Sequence, residues 1–157
     1  MPKDIPTLAE AKQKLEHYCA YQERCHQEVS QKLWSLGIKQ DEADTVMVYL
    51  IDNNYLNEER FACSFVRGKH RIKHWGKIRM QNELKSRNIS AYIIARALTE
   101  ITDDEYLETF SALAQRHWES LRESNPLLKR KKFCDYLLRK GYESNLIYEK
   151  GKELAEQ

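Results

Sequence analysis

Eight basic side chains lie in the segment between Arg67 and Arg87, and a single acid, Glu83, lies among them. Lysines and arginines at this density bind the phosphates of nucleic acid or an acidic protein surface. The ordinary explanation of a charge run is a helix face in contact with water. Close like charges destabilise a helix, however, unless a partner neutralises them. The segment therefore predicts contact with an anionic partner through Arg67, Lys69, Arg71, Lys73, Lys77, Arg79, Lys85 and Arg87.

A second basic patch, Lys129 to Lys132, lies farther along the chain. It precedes Arg139 and Lys140 on the same expected helix. In the repeat alignment given below, Arg130 falls where Lys77 stands. Positive charge in the first turn of a helix opposes the helix dipole, so helix stability does not explain this pattern. We therefore extend the predicted contact to Lys129, Arg130, Lys131 and Lys132.

Two further residues of the first basic segment carry a signal of their own. Trp75, next to Gly76, places an aromatic ring at an expected junction between helices. Core packing is the favoured role for this ring, and a platform for stacked bases is the alternative. Gly68 lies inside a helical pattern, where glycine lowers helix stability. It indicates either a break in the helix or a close approach of another backbone.

Histidines and cysteines give no clear metal site. His70 and His74 are four residues apart and would share a helix face, as a metal-binding pair does. The surrounding lysines and arginines oppose a cation, so we expect solvated or phosphate-facing histidines here. No zinc spacing fits a second group, made of His17, Cys19, Cys25 and His26. We predict neither a metal nor a cofactor.

Motifs of catalysis are absent from the sequence. It contains no GxSxG, GxxxxGK[ST], GxGxxG or HExxH. A metal-dependent nuclease needs clustered carboxylates, and residues 60–101 hold two acids against ten basic residues. Their net charge is +8, whereas residues 1–59 carry −5 and residues 102–157 carry −1. We predict a protein that binds macromolecules and is not an enzyme.

Helices must position these residues, because helix signals recur and strand signals do not. Thr7 and Thr102 each precede a glutamate by three residues, as in a capping box, and Asn57 precedes two acids. The predicted fold class is all-α. No apolar run is long enough to span a membrane, and no secretory signal is recognisable. Four dispersed cysteines are typical of a reducing compartment. We expect a cytoplasmic protein that does not contact membranes.

Internal similarity indicates three copies of one helical unit. Gly37, Asn88 and Gly141 are in register, with offsets of 51 and 53 residues. A glycine or asparagine in the left-handed conformation ends a helix, so each would close the second helix of its copy. The third helix would take its N-cap from Asp41, Ser90 or Ser144. The apolar residues that share the register are Val29, Met80 and Phe133, then Leu33, Leu84 and Leu137, then Ile38, Ile89 and Tyr142.

The predicted boundaries follow from these signals. An N-terminal tail occupies 1–6, repeat 1 occupies 7–50, repeat 2 occupies 51–101 and repeat 3 occupies 102–157. Each repeat would hold three helices, and their stacking would give an elongated, curved rod. The alternative is a single globular bundle whose similarities are accidental.

Residues 55–89 resemble the central signature of the RecX family of recombination regulators. Asn88 stands where the family usually has glycine, and Cys63 stands where a basic residue is common. The likeness is carried by Tyr55 to Ala62, Phe65 to Arg67 and Gly76 to Arg79, together with Leu84, Asn88 and Ile89.

What the resemblance implies is a cytoplasmic regulator of recombination and DNA repair built from three-helix repeats. Such proteins bind the RecA recombinase, lodge in the groove of its filament on DNA, and inhibit its ATPase, strand-exchange and co-protease activities. Weak DNA binding without sequence preference is also expected. A rod with a basic middle suits a groove lined by acidic protein and phosphate.

Two other functions stay open at this point. A stand-alone nucleic-acid-binding protein would read a groove with polar side chains of one helix, for which the candidates are Arg79, Gln81, Asn82 and Arg87. A scaffold of the tetratricopeptide kind is disfavoured, because its repeats of about thirty-four residues hold two helices each.

Overall fold

The computed structural model describes residues 4–157, and that part of the chain forms nine helices and no strand. The all-α prediction is confirmed. In chain order the helices are α1 (Leu8–Tyr21), α2 (His26–Ser35), α3 (Gln40–Asp52), α4 (Glu58–Lys73), α5 (Lys77–Ser86), α6 (Ala91–Leu98), α7 (Asp103–Ser120), α8 (Pro126–Lys140) and α9 (Ser144–Ala155).

Side-chain caps begin every third helix, as the sequence predicts. The Thr7 hydroxyl accepts from the backbone N–H of Glu10, and the Glu10 carboxylate accepts from the backbone N–H of Thr7. These two bonds complete a capping box at α1. Asn57 and Thr102 cap α4 and α7 in the same way, each accepting from a backbone N–H three residues on.

The register residues end the second helix of each group in the left-handed conformation. The φ angles are +80° at Gly37, +59° at Asn88 and +100° at Gly141. The residue after each of them donates its N–H to a carbonyl five residues back, which is the long bond of a Schellman motif. These bonds run from Ile38 to Leu33, from Ile89 to Leu84 and from Tyr142 to Leu137, each at 3.2 Å. The predicted pivots are confirmed.

The predicted caps of the third helices are right in one case of three. Ser90 caps α6 through its hydroxyl. Asp41 lies inside the first turn of α3, whose N-cap is Lys39, and Ser144 is the first residue of α9, whose N-cap is Glu143. Each third helix begins three residues after its pivot, so Lys39 and Glu143 occupy the N-cap positions of α3 and α9. Neither residue makes a side-chain cap bond.

We call α1–α3 repeat 1, α4–α6 repeat 2 and α7–α9 repeat 3. The predicted limit at residue 50 falls within α3, which continues to Asp52, and the limit at 101 falls between α6 and α7. Of the predicted tail, residues 4–6 carry no helix, and residues 1–3 lie outside the described part of the chain.

Two separate cores hold the repeats together. One core lies within repeat 1 and includes Leu15, Leu33 and Leu50. The other is continuous through repeats 2 and 3, and the Cys25 thiol of repeat 1 also packs in it. The accessible surface is 9990 Å² for 18.7 kDa, whereas a compact monomer of this mass would expose roughly 8,300 Å². The excess is what an elongated stack of repeats requires.

Candidate functional site

Half of the twelve basic residues predicted to bind a partner have a carboxylate within ion-pair distance. Their pairs are Arg67–Glu100 at 3.4 Å, Arg71–Glu105 at 2.8 Å, Lys77–Asp103 at 3.8 Å, Arg87–Glu83 at 3.1 Å, Lys131–Asp135 at 2.7 Å and Lys132–Glu123 at 2.9 Å. In residues 4–157, no ion pair forms at the other six, which are Lys69, Lys73, Arg79, Lys85, Lys129 and Arg130.

Some of the ion pairs join repeats. Arg71 on α4 makes two hydrogen bonds to the carboxylate of Glu105 on α7, and Lys77 on α5 reaches Asp103 at the start of α7. The hydrogen bond from Arg71 lowers the pKa of Glu105. The Thr102 hydroxyl accepts from the backbone N–H of Glu105, which is one of the two bonds of a capping box. The second bond, from the backbone N–H of Thr102 to the Glu105 carboxylate, does not form because that carboxylate faces Arg71. The basic residues of these pairs thus have internal contacts already.

Trp75 has a structural position, as favoured from the sequence. Its half-buried ring packs against the core of repeats 2 and 3 and meets Phe65 edge to face, with 6.1 Å between ring centroids. The Arg79 guanidinium lies 4.0 Å from the ring centroid and the Lys69 ammonium lies 4.9 Å from it. These cation–π contacts hold two basic side chains in place at the end of α4.

The joint between repeats 2 and 3 is made by backbone. The N–H of Gly76 donates to the carbonyl of Lys140 at 2.7 Å, and the N–H of Ile78 donates to the carbonyl of Gly141 at 2.9 Å. A Cβ atom on Gly76 would lie 2.4 Å from the carbonyl carbon of Gly141, so no side chain fits there. The Tyr142 hydroxyl closes the joint with a 2.7 Å bond to the carbonyl of His74.

This joint gathers positive charge that no acid of residues 4–157 neutralises through an ion pair. The Lys140 ammonium donates to the carbonyl of Lys73 at 3.0 Å, and Arg79 donates to the carbonyl of Arg139 at 3.2 Å. Burial, followed by the charges of Arg79 and Lys73, lowers the pKa of Lys140. Arg116 lies beside Lys140 in a shallow cleft of about 440 Å³. We call Lys73, Arg79, Arg116, Arg139 and Lys140 the basic joint.

Sequence reasoning missed Arg116 because it is an isolated base in the middle of α7, beside no other Lys or Arg. Only the packing of α7 against α8 brings it to Lys140. Arg139 and Lys140 were recognisable as the end of a basic helix, but their approach to Lys73 and Arg79 depends on contacts between residues sixty and sixty-seven positions apart.

The two neighbouring histidines are not both solvated, contrary to expectation. His70 is completely buried, its Nδ1 lies 2.9 Å from the carbonyl of Trp75, and its ring stacks on Tyr106. Burial lowers its pKa. His74 is half-buried in the left-handed conformation. Residues 4–157 contain no cluster of three or more His, Cys, Asp or Glu that could bind a metal ion.

Gly68 does not break the helix, so that explanation is wrong, and no other backbone of residues 4–157 approaches it closely. The helix α4 runs without interruption from Glu58 to Lys73. A Cβ atom added at Gly68 would meet nothing within 4 Å. Alanine would fit this position and would favour the helix by about 1 kcal/mol.

Helix α5 does not present free arginines to a groove. Arg87 forms an ion pair with Glu83 and also bonds the Glu83 carbonyl at 2.9 Å. Arg79 lies over Trp75. Of the four candidates for base reading, Asn82 is exposed and Gln81 half-exposed, so α5 lacks the row of available side chains that direct readout uses.

Family models match the second and third groups of helices. The model of the second three-helix domain of RecX matches residues 57–98, and that of the third matches residues 103–150. Together these ranges span more than half of the chain.

The chain belongs to the RecX family.

Relatives and solved structures agree with this assignment. A RecX regulatory protein of Bacillus cytotoxicus is 26% identical over 140 residues, which cover 89% of this chain and 52% of the relative. One from Lactobacillus gasseri is 30% identical over 121 residues, covering 67% and 45%. The chain therefore spans about half the length of the curated relatives it matches.

The crystal structure of RecX from Lactobacillus salivarius superposes with a TM-score of 0.81 at 27% identity, and the match covers 94% of this chain and 96% of that one. A second RecX crystal structure, 23% identical, shares the fold with a TM-score of 0.82. Within the described residues, none of the helices is both long enough and apolar enough to cross a membrane.

Proposed function

We propose that this protein regulates homologous recombination and DNA repair by binding filaments of a RecA-type recombinase on DNA. Binding would lower the ATPase, strand-exchange and co-protease activities of the recombinase, and the regulator itself would catalyse no reaction. Membership in the RecX family supports a regulatory role, since the relatives bear the name of regulatory proteins. The place of action under this proposal is the cytoplasm, where a recombinase meets chromosomal DNA.

The observation that carries the proposal is the basic joint. Its five cations have no ion pair among residues 4–157, although twelve ion pairs form elsewhere in that range. The Lys140 pKa is lowered partly by two of its basic neighbours, so the like charges repel one another. Phosphates of a DNA-bound filament would relieve that repulsion and release counterions.

The unpaired members of the predicted set would extend the contact on both sides of the joint. Lys69 and Lys85 belong to repeat 2, and Lys129 and Arg130 lie about one turn into α8, which begins at Pro126 in repeat 3. Lys129 already lies 4.2 Å from the centroid of the Trp118 ring, which fixes its direction. The six paired residues would contribute less, because a partner must compete with their carboxylates.

Binding to bare DNA should be weak and independent of sequence. Phosphate contacts position a protein on DNA without reading bases. Arg79 of α5 and Arg87, which follows the last residue of α5, are held by Trp75 and Glu83. The proposal therefore differs from a stand-alone nucleic-acid-binding protein in what the basic surface recognises. It needs the filament for tight binding.

The test is the single-stranded-DNA-dependent ATPase of a RecA recombinase, titrated with this protein well below one copy per recombinase. We expect inhibition at low ratio. The double variant Lys73→Glu and Arg139→Glu should raise the half-inhibitory concentration at least tenfold, since both side chains are exposed members of the basic joint. Its circular-dichroism spectrum should stay helical.

The matched control is Lys14→Glu with Lys152→Glu, which changes the net charge equally at exposed lysines of α1 and α9. This control should inhibit like the wild type. If the wild type leaves the ATPase unchanged at every ratio while it binds bare DNA in a salt-sensitive way, the protein acts on nucleic acid alone and the proposal fails.

A further inference from the structure

Gly68 is the residue of the basic segment that the fold itself leaves unexplained. It lies in the interior of α4, a helix of 16 residues, where glycine is a poor choice. Apart from its two chain neighbours and the backbone of its own helix, no described atom lies within 4 Å of the position that its Cβ would take. The backbone at Gly68 is therefore open from outside, and internal packing gives no reason for the missing side chain.

A shallow hollow of about 240 Å³ lies over this glycine. Ser64, Gly68 and Ile72 follow one another at intervals of four residues, so they line one stripe of α4. Phe65 forms one wall, and the Ile72 side chain is 74% exposed at the other end. An exposed isoleucine next to an open helix backbone is an apolar surface that no other part of residues 4–157 covers.

Positive charge surrounds the hollow. Lys69 and Lys73 line it, and neither forms an ion pair within residues 4–157. Lys69 is held near the rings of Phe65 and Trp75, with its ammonium 5.7 Å and 4.9 Å from the two centroids. The apolar hollow thus has a cationic rim.

We infer that this hollow receives a helix of the protein partner, one that carries an aliphatic ridge flanked by aspartate or glutamate. The inference rests on the proposed function, in which the partner is the recombinase, and it adds a protein-binding face on α4 that borders the phosphate-binding basic joint at Lys73. Glycine is the residue that lets another chain approach a helix backbone closely, and ridges of one helix pack into such grooves of another. Lys69 then pairs with an acid of that helix, and Lys73 lies where the hollow meets the basic joint.

A helix suits the hollow better than nucleic acid does. Ile72 and the open backbone of Gly68 would gain from burial against aliphatic side chains, whereas a sugar-phosphate strand would leave them in water. Arg71, the next base along the helix, is bound to Glu105 on the joint side and adds no free charge to the hollow.

The test compares the thermal stability of one variant, Gly68→Ala, with its inhibition of the recombinase and its binding to DNA. The added methyl meets nothing in the chain, so the midpoint of thermal unfolding should rise by a few degrees. The half-inhibitory concentration in the recombinase ATPase assay should nevertheless rise about tenfold, because the methyl holds the partner helix away. Direct binding to single-stranded DNA, measured by fluorescence anisotropy, should not change.

A second variant tests the same hollow without altering the helix backbone. Ile72→Ser should weaken inhibition to a similar degree, and the matched control Tyr92→Ser, which removes an 80% exposed side chain from α6, should not. Inhibition equal to the wild type in both Gly68→Ala and Ile72→Ser overturns the inference. An equal loss of inhibition and of DNA binding also overturns it, because the hollow would then contact nucleic acid.

Failure of the proposed function is visible separately, in the wild type before any substitution. A wild-type protein without effect on the recombinase removes both proposals. A wild-type protein that inhibits, with variants that inhibit equally well, removes only the assignment of the hollow.

Discussion

The two joints between repeats are built by different means. Repeats 2 and 3 share a continuous core, and their backbones touch at Gly76 and Gly141. Repeat 1 has its own core and meets repeat 2 largely through polar groups, with Arg60 bound to Glu23 at 2.7 Å. The joint between repeats 2 and 3 places the basic surface through backbone and core contacts, whereas the joint between repeats 1 and 2 depends on side chains that water and salt can reach.

Two residues explain why the joints differ. Counted from the pivots, Cys25 of repeat 1 occupies the place of Gly76, and Asn88 occupies the place of Gly141. Both carry a Cβ atom, and a Cβ at the position of Gly76 would lie 2.4 Å from backbone atoms of the next repeat. Repeat 1 therefore cannot stack on repeat 2 as repeat 2 stacks on repeat 3. The same helical unit gives a tight or an open joint according to these two side chains.

The largest effect should come from closing the space in the tight joint. Gly76→Ala forces a methyl group into the backbone of Gly141, and the free energy of unfolding should fall by about 3 kcal/mol or more. Urea unfolding followed by circular dichroism measures the change. Gly68→Ala is the control, since the same substitution at an open position should stabilise the protein. A Gly76→Ala protein as stable as the wild type would show that the repeats do not meet this closely.

A smaller effect is expected at the open joint. Arg60→Ala removes the bond to Glu23 and the bonds to the carbonyls of Asn54 and Tyr55, and the Arg60 side chain is 36% exposed. We expect a loss of about 1 kcal/mol, less in high salt. A double-mutant cycle with Glu23→Ala isolates the pair. Independent, additive effects would mean that this ion pair does not hold the joint.

The smallest effect is a pH dependence to which His70, at the tight joint, contributes. Burial lowers the pKa of His70 below its ordinary value of 6.5, so below that pH the unfolded chain binds a proton that the folded chain does not. Stability should therefore fall on acidification from pH 7.5 to 5.5. His70→Phe should flatten this slope, as measured by urea unfolding at each pH. Burial also lowers the pKa of His117, so part of the dependence of stability on pH should remain in the His70→Phe variant. An unchanged slope in His70→Phe would place the titrating group elsewhere.

Local features were predictable from the sequence because local physics determines them. The caps at Thr7, Asn57 and Thr102 and the left-handed pivots follow from hydrogen bonds within a few residues. The caps assigned to Asp41 and Ser144 were wrong, since the third helices begin at a fixed distance from the pivot. Residue type alone does not reveal that distance.

The candidate site was only partly predictable, because charge along the chain does not reveal which bases are neutralised. Arg71 and Lys73 look alike in the sequence, yet Arg71 forms an ion pair with Glu105 across the joint, whereas the carbonyl of Lys73 accepts from the Lys140 ammonium and its own ammonium has no ion pair in residues 4–157. Arg116 joins the site through the packing of α7 against α8. Pairing between distant repeats determines such neighbours, and a single sequence carries no record of it.

Cys25 of repeat 1 packs in the core of repeats 2 and 3, so its reactivity reports on the contact between them. The loop before α2 carries this thiol into the core of repeats 2 and 3, where burial raises its pKa to about 11. Alkylating reagents attack the thiolate, so we expect the buried Cys25 to react slowly, when its contact with the core of repeats 2 and 3 opens. Cys134, which is half-exposed, provides an internal standard for reagent strength. The rate at which Cys25 is alkylated therefore measures how often repeat 1 separates from repeat 2. A partner that holds the two repeats together would lower that rate.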